Sequence, residues 1–174
     1  MSIRQWLGLE PEPVASPETE TVRKVVSALN ELPPDEARYI AAFGYILGRV
    51  ANADLKISSE EIAAMERIVA EHGKLPMAQA VVVVQMAKSG TQLFGGTENF
   101  LVTREFQRLA TREQCLTLVN CLFAVSAAQD GISVTEDNEI RQIVSELGLE
   151  HRDFIQVRAA WRDQINVIKN LPEA

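Results

Sequence analysis

The sequence predicts an all-α protein, a single-domain bundle of about seven to eight helices with an internal repeat. Apolar residues recur at helical spacing along most of the chain. Glycine and proline are sparse, with nine and seven among 174 residues, so long helices are permitted. A helix, an acidic loop and a second helix occur twice. The β-branched run at 80–84 also has strand character, but we predict a helix because no other segment offers a strand to pair with it.

Composition limits the classes of function. The net charge of −7 argues against nucleic-acid binding, which needs a basic face, and leaves divalent cations or basic proteins as suitable partners. The two cysteines, Cys115 and Cys121, are predicted to be buried core thiols, which is typical of a reducing compartment. The first residues do not resemble a secretory signal, and no apolar stretch is long enough to cross a membrane. We therefore expect a cytoplasmic protein.

The N-terminal region is predicted to be a flexible tail and linker, residues 1–17, followed by a helical domain, residues 18–174. Residues 10–17 contain three of the seven prolines, which is typical of a linker. Before them, Trp6, Leu7 and Leu9 form a short apolar patch. Such a patch suits peripheral contact with a membrane or a partner protein, or it packs on the domain itself.

Helix boundaries follow from capping and stop signals. Ser58 with Glu61 and Thr111 with Gln114 each form a capping box, and Gly73 follows His72 as a stop signal. Gly44 and Gly48 lie four residues apart, which suggests close approach of another helix or simply tolerated small residues. A loop is predicted at 90–98. The predicted helices are 18–30, 35–53, 59–72, 76–89, 100–110, 112–129, 136–147 and 151–169.

The repeat has a spacing of 76 residues, which brings Asp54 onto Asp130. In each copy an apolar helix ends near this aspartate, and a short loop leads to a helix with an acidic first turn. The loops are interpreted as ending in an apolar residue and a hydroxyl cap, Ile57 with Ser58 in the first copy and Val134 with Thr135 in the second. The second loop is thereby predicted to be one residue longer. The recurrence suggests two related helix pairs that pack together.

The acidic residues of the repeat are open to two interpretations. Acidic residues in a first turn stabilise the helix dipole, and an aspartate before a turn can cap the loop. Oxygen-rich loops beside helix starts can also bind hard cations such as calcium. Neither loop matches an EF-hand, because the glycine at position 6 and the closing glutamate are missing from both. Any cation site would be weak and assembled from both loops or adjoining helices.

The two segments ADLKISSEEIAAMERIVAEHG and AAQDGISVTEDNEIRQIVSELGL resemble the TerB-like family of tellurite-resistance proteins over about residues 36–160. The first copy has Leu55 where the family pattern has glycine. The resemblance implies an all-helical fold with pseudo-symmetry, a bacterial stress-response role, and a divalent-cation role for the acidic surface. The metal candidates at matching positions are Asp54, Glu60, Glu61, Asp130, Glu136, Asp137 and Glu139.

We therefore predict a non-enzymatic interaction or sensing module with weak divalent-cation binding at the acidic loops. The alternatives are a scaffolding homo-oligomer without metal and a carboxylate-based hydrolase. No catalytic residue is assigned, because the chain has no nucleophile elbow, P-loop or zinc motif. Both histidines, His72 and His151, fall near predicted helix ends. The partner surfaces predicted are the loop at 90–98 and the tail around Trp6.

Overall fold

The computed structural model describes residues 17–51, 58–93 and 98–166. Within these residues there are eight α-helices and no strands, so the predicted all-α fold is confirmed. In chain order, the helices are α1 Pro17–Asn30, α2 Pro34–Val50, α3 Ser59–His72, α4 Met77–Leu93, α5 Asn99–Leu109, α6 Arg112–Ala127, α7 Val134–Glu146 and α8 His151–Ala159. A short 3-10 helix, Arg162–Gln164, follows. No helix in these ranges is long and apolar enough to cross a membrane.

Helix α2 lies at the centre of the bundle and packs against α1, α4, α5, α6 and α7. Nearly every side chain along its second half is buried. The two glycines of α2 allow the close approach of α4. A Cβ atom added at Gly44 would lie 2.7 Å from the Cβ of Met86, and one added at Gly48 would lie 2.9 Å from the carbonyl oxygen of Ala87. Close helix packing is therefore the confirmed role of these glycines.

Several predicted helix signals are confirmed. The side chains of Ser58 and Thr111 each accept a hydrogen bond from the backbone N–H three residues on, and the side-chain oxygen of that residue accepts one from the backbone N–H of the cap. Helix α3 ends at His72 with Gly73 as its cap. The β-branched run at 80–84 lies inside α4. Both cysteines are buried and free, and burial raises the pKa of the Cys121 thiol to about 12.

The two largest errors in the predicted boundaries are the ends of α4 and α8. Helix α4 extends to Leu93, so residues 90–93 of the predicted loop are helical. One glycine inside a packed helix costs only about 1 kcal/mol, and Gly90 is not enough to end it. The last helix ends at Ala159 rather than 169, because the chain turns there and Ile165 pairs with Ile132 in an isolated parallel bridge.

Some predictions concern residues outside the described ranges. They include the tail with Trp6, Leu7 and Leu9, and the first-loop aspartate Asp54. The part of the predicted loop at 94–97 is also outside them. The predictions for these segments remain predictions.

Candidate functional site

The second acidic loop is a tight turn held by residues 164–166. Asp130 and Gly131 both have left-handed backbone angles, with φ of 68° and 87°. A Cβ atom on Gly131 would collide with the side chain of Asn166 and lie 2.9 Å from the carbonyl oxygen of Gln164. The backbone N–H of Ile132 donates to that same carbonyl at 2.7 Å, and the Ile132 carbonyl accepts from the Asn166 N–H at 3.0 Å. Residues 164–166 thus fix the loop.

The cap of the second loop differs from the prediction. Ser133, not Thr135, is the N-cap of α7, and it forms a capping box with Glu136. Ile132 is the buried apolar residue of the loop, whereas Val134 is 52% exposed. Thr135 falls inside the first helical turn, and the residue three positions after it is Asn138, which lacks the carboxylate of a capping box.

The corrected cap changes the relation between the two copies. Asp54 and Asp130 are 76 residues apart, but the caps Ser58 and Ser133 are 75 apart. Two residues separate the aspartate from the cap in the second copy and three in the first. The second loop is therefore one residue shorter than the first, not one longer.

Two of the metal candidates take part in capping boxes. Glu61 Oε2 accepts from the backbone N–H of Ser58 at 2.7 Å. Glu136 Oε2 accepts from the backbone N–H of Ser133 at 2.8 Å and from its hydroxyl at 2.6 Å. The hydrogen bonds from Ser58, first from its backbone and then from its hydroxyl, lower the pKa of Glu61. Helix capping therefore occupies one oxygen of each carboxylate.

Two further candidates are bound by arginines from other helices. Asp137 is buried, and Arg158 of α8 donates to both of its carboxylate oxygens, at 2.8 Å and 3.1 Å. Glu139 accepts from Arg49 of α2 at 2.8 Å. Ion pairs between helices account for both positions without a metal.

Arg49 is the centre of a polar cluster, the Arg49 cluster, which we define as Arg49, Glu139, Glu146 and Thr103. The Arg49 side chain is only 5% exposed. Its guanidinium donates to Glu146 Oε2 at 2.7 Å and to Thr103 Oγ1 at 2.8 Å, in addition to Glu139. The Thr103 hydroxyl donates onward to the carbonyl of Asn99 at 2.9 Å. The cluster joins α2, α5 and α7.

The electrostatics of the Arg49 cluster favour a structural role. Burial raises the pKa of Glu146, but hydrogen bonds from Arg49 and Gln142 outweigh it and hold the pKa below its ordinary value. A general acid needs a raised pKa, close to the working pH. Glu146 is instead held as a carboxylate that balances the Arg49 charge.

The remaining candidates lie on the surface. Glu60 and Asp130 are exposed, and neither forms an ion pair with another described residue. Across residues 17–51, 58–93 and 98–166, no three acidic, histidine or cysteine side chains are grouped so that they could hold a metal ion. Asp54 is outside those ranges, and the predicted metal set remains a prediction.

Sequence reasoning missed Arg49 and Arg158 as partners of the acidic residues. A signal for Arg49 was present, because it interrupts the apolar run Ile46, Leu47 and Val50 of one helix. Arginine is almost never buried without a partner, so an arginine in such a run indicates a buried ion pair. Its glutamate partners are 90 and 97 residues away in sequence, and no local pattern identifies them.

Comparison with known proteins identifies a family to which most of the chain is similar. The family model described as tellurite resistance protein TerB matches residues 40–159. This range includes both acidic loops, the Arg49 cluster and α2 to α8 apart from the start of α2. No curated protein and no solved structure matches the chain significantly.

Proposed function

The chain belongs to the TerB family of tellurite resistance proteins, and we propose that it is a non-enzymatic stress-response module that binds a partner protein. The observation that carries the proposal is the exposed apolar surface at the start of α5. Phe100 is 50% exposed and Leu101 is 65% exposed, side by side in the first turn of that helix. Large apolar side chains exposed together are typical of interaction sites.

We call this surface the α5 surface and define it as Phe100, Leu101 and Arg104. The contacts among its side chains support the proposal. The Arg104 guanidinium lies 5.5 Å from the centre of the Phe100 ring, in a cation–π arrangement. Aromatic and arginine side chains contribute most of the binding energy at many protein interfaces. Arg104 also gives this surface a cationic group with which a carboxylate of the partner protein can pair.

A pull-down with the whole chain as bait tests partner binding. We expect a partner to be retained by the wild type and lost by the double variant Phe100→Ser and Leu101→Ser. Met77→Ser is the matched control, because Met77 is also 50% exposed but lies at the start of α4. Retention of the same proteins by the double variant would overturn the α5 surface as the binding site.

We also propose weak divalent-cation binding at the acidic loops, with Asp130 as the main ligand of the second loop. The exposure of Asp130 and its freedom from ion pairs with described residues support this part. Asp137 and Glu139 contribute less, because their arginine partners would have to be displaced. The family's acidic candidates Asp54, Glu60, Glu61 and Glu136 complete the proposed set.

Thermal unfolding with calcium tests the cation. A ligand at about ten times its Kd stabilises the folded state by about 1.4 kcal/mol, which raises the Tm by about 3–5 °C for a chain of this size. We expect Asp130→Asn to abolish the rise and Glu71→Gln to keep it, because Glu71 is an exposed acid outside the loops. An unchanged Tm of the wild type at millimolar calcium would overturn the proposed cation binding and would not affect the partner-binding proposal.

A further inference from the structure

Three side chains from distant parts of the chain form a small polar cluster, the Asn120 relay, made of His72, Asn120 and Trp161. His72 is the last residue of α3, Asn120 lies in α6, and Trp161 follows α8. The Trp161 indole Nε1 donates to Asn120 Oδ1 at 2.9 Å. Asn120 Nδ2 lies 3.3 Å from His72 Nδ1, and the His72 and Trp161 rings meet edge to face with centroids 5.5 Å apart.

The hydrogen-bond donors of the relay determine the orientation of the Asn120 amide and the tautomer of His72. An indole N–H can only donate, so the carbonyl oxygen of the Asn120 amide faces Trp161. The amide nitrogen then faces His72 and can only donate as well. His72 Nδ1 must therefore accept, which requires the neutral ring with its proton on the other nitrogen.

We propose that the Asn120 relay is a pH-sensitive switch in which protonation of His72 releases Trp161. A protonated histidine donates from both ring nitrogens, so His72 and Trp161 would then compete for the one amide oxygen of Asn120. A hydrogen bond from a charged donor is stronger than one from a neutral indole. The Asn120 amide then rotates so that its oxygen faces His72, and the Trp161 indole N–H loses its acceptor.

His72 lies in the last turn of α3, where a positive charge interacts favourably with the helix dipole. Protonation is therefore accommodated by a change of hydrogen-bond partner, and histidine is the side chain whose charge ordinarily changes between about pH 5 and pH 8.

None of the described charged residues on the elements around His72 forms an ion pair with it, so Asn120 is its polar partner. Lys74 and Glu113 pair with each other at 3.4 Å. The described residues of α4, which packs on α3, carry Lys88 as their one charged side chain. The other charged residues of α3, α6 and the segment around Trp161 are Glu60, Glu61, Glu66, Arg67, Glu71, Arg112, Arg158, Arg162 and Asp163.

Two of those arginines are already engaged, Arg112 with Asp153 and Arg158 with Asp137. The thiol of Cys121, beside Asn120 in sequence, has its pKa raised to about 12 by burial. It therefore does not titrate near neutral pH. His72 is the group whose titration changes the relay.

The switch reaches the second acidic loop through the backbone. The N–H of Gln164 donates to the Trp161 carbonyl at 2.9 Å, and the Gln164 carbonyl accepts from Ile132 at 2.7 Å. Trp161 is thus two hydrogen bonds away from the turn that presents Asp130. Releasing Trp161 at low pH weakens the attachment of residues 164–166 to the loop.

NMR on the full chain with Trp6→Phe, which leaves one indole, tests the switch. On lowering the pH from about 8 to about 5, we expect the Trp161 indole N–H to shift with the same midpoint as the His72 ring protons. We expect the protection factor of the Ile132 amide against exchange to fall about fivefold, as for the loss of one hydrogen bond. Both responses should be absent in His72→Gln, whose amide oxygen accepts from Asn120 without titrating.

The matched control is His151→Gln, because His151 is the only other histidine and is exposed at the start of α8. The Trp161 indole N–H in this variant should respond to pH as it does in the wild type. An indole signal that stays constant while His72 titrates would overturn the switch, and so would an unchanged response in His72→Gln. An indole response without a change at Ile132 would overturn the coupling to the loop.

Discussion

At the scale of single residues, buried charges on α7 and α8 are matched by partners on other helices. Glu146 and Glu139 bind Arg49, Asp137 binds Arg158, and the buried Asp153 binds Arg112. These contacts explain why acidic side chains occur at inward positions of α7 and α8. Replacing one partner of such a pair tests its importance directly, because the other charge stays buried and unpaired.

Arg49→Met should strongly destabilise the protein. The change leaves Glu146, whose side chain is 9% exposed, and Glu139 without their cation. Loss of one partner of a buried pair costs about 3–5 kcal/mol. Urea unfolding should show this loss in the free energy of unfolding. Arg108→Met is the control, because Arg108 forms an exposed pair with Glu105 and should change stability by less than about 1 kcal/mol. Equal losses in both variants would contradict a special role for Arg49.

The stability difference between wild type and Arg49→Met should also depend on pH. In the wild type the pKa of Glu146 is lowered from its ordinary value of 4.5, so its contribution is present above that value and is lost as the pH falls through the lowered pKa. Without Arg49, we expect burial, which is the largest influence on this carboxyl, to raise the pKa of Glu146. The variant therefore loses stability as the pH rises through that raised pKa. Urea unfolding between about pH 5 and pH 7 should show a difference that grows with pH, and a constant difference would contradict the assignment.

At the scale of helices, the boundary of α7 depends on which hydroxyl is its cap. Ser133→Ala should lower the free energy of unfolding by about 0.5–2 kcal/mol, because the Glu136 N–H loses its acceptor. Thr135→Ala is the matched control, since Thr135 is an exposed residue within the first turn and should change stability by less than about 0.5 kcal/mol. A larger loss of stability in Thr135→Ala than in Ser133→Ala, measured by thermal or urea unfolding, would indicate that Thr135 is the cap.

The sequence predicts a helix boundary or a site contact well when the interacting residues lie close together along the chain. The caps at Ser58 and Thr111 were predicted because both partners lie within four residues. Ser133 followed three residues later by Glu136 has the same pattern, so the correct cap was also visible locally. The end of α8 and the Arg49 cluster were not predictable in this way. Each depends on residues that are distant in sequence, such as Ile132 for Ile165.

At the scale of the whole molecule, the two copies of the repeat are joined through both helices of the first copy, because α3 packs on α6 and α2 packs on α6 and α7. The first copy consists of α2 and α3 and the second of α6 and α7, and α2 contacts both helices of the second copy. The Arg49 cluster connects the end of α2 to α7. Aromatic packing adds a further link between α2 and α5, because the Phe106 ring lies 4.9 Å from that of Tyr39. Burial raises the pKa of the Tyr39 hydroxyl to about 12.

This arrangement predicts unequal hydrogen exchange along the chain. Amides of α2 between residues 40 and 48 should exchange only on global unfolding, because that segment is buried on all sides. Helix α1 packs on α4 and α2 through one face and exposes Arg23, Lys24 and Ser27, so it should open locally and exchange faster. Native-state exchange followed by mass spectrometry in increasing urea separates the two, since α2 should follow the global free energy while α1 stays below it. If α1 and α2 exchanged at one rate throughout, the molecule would open as a single unit, and this would contradict the local opening of α1.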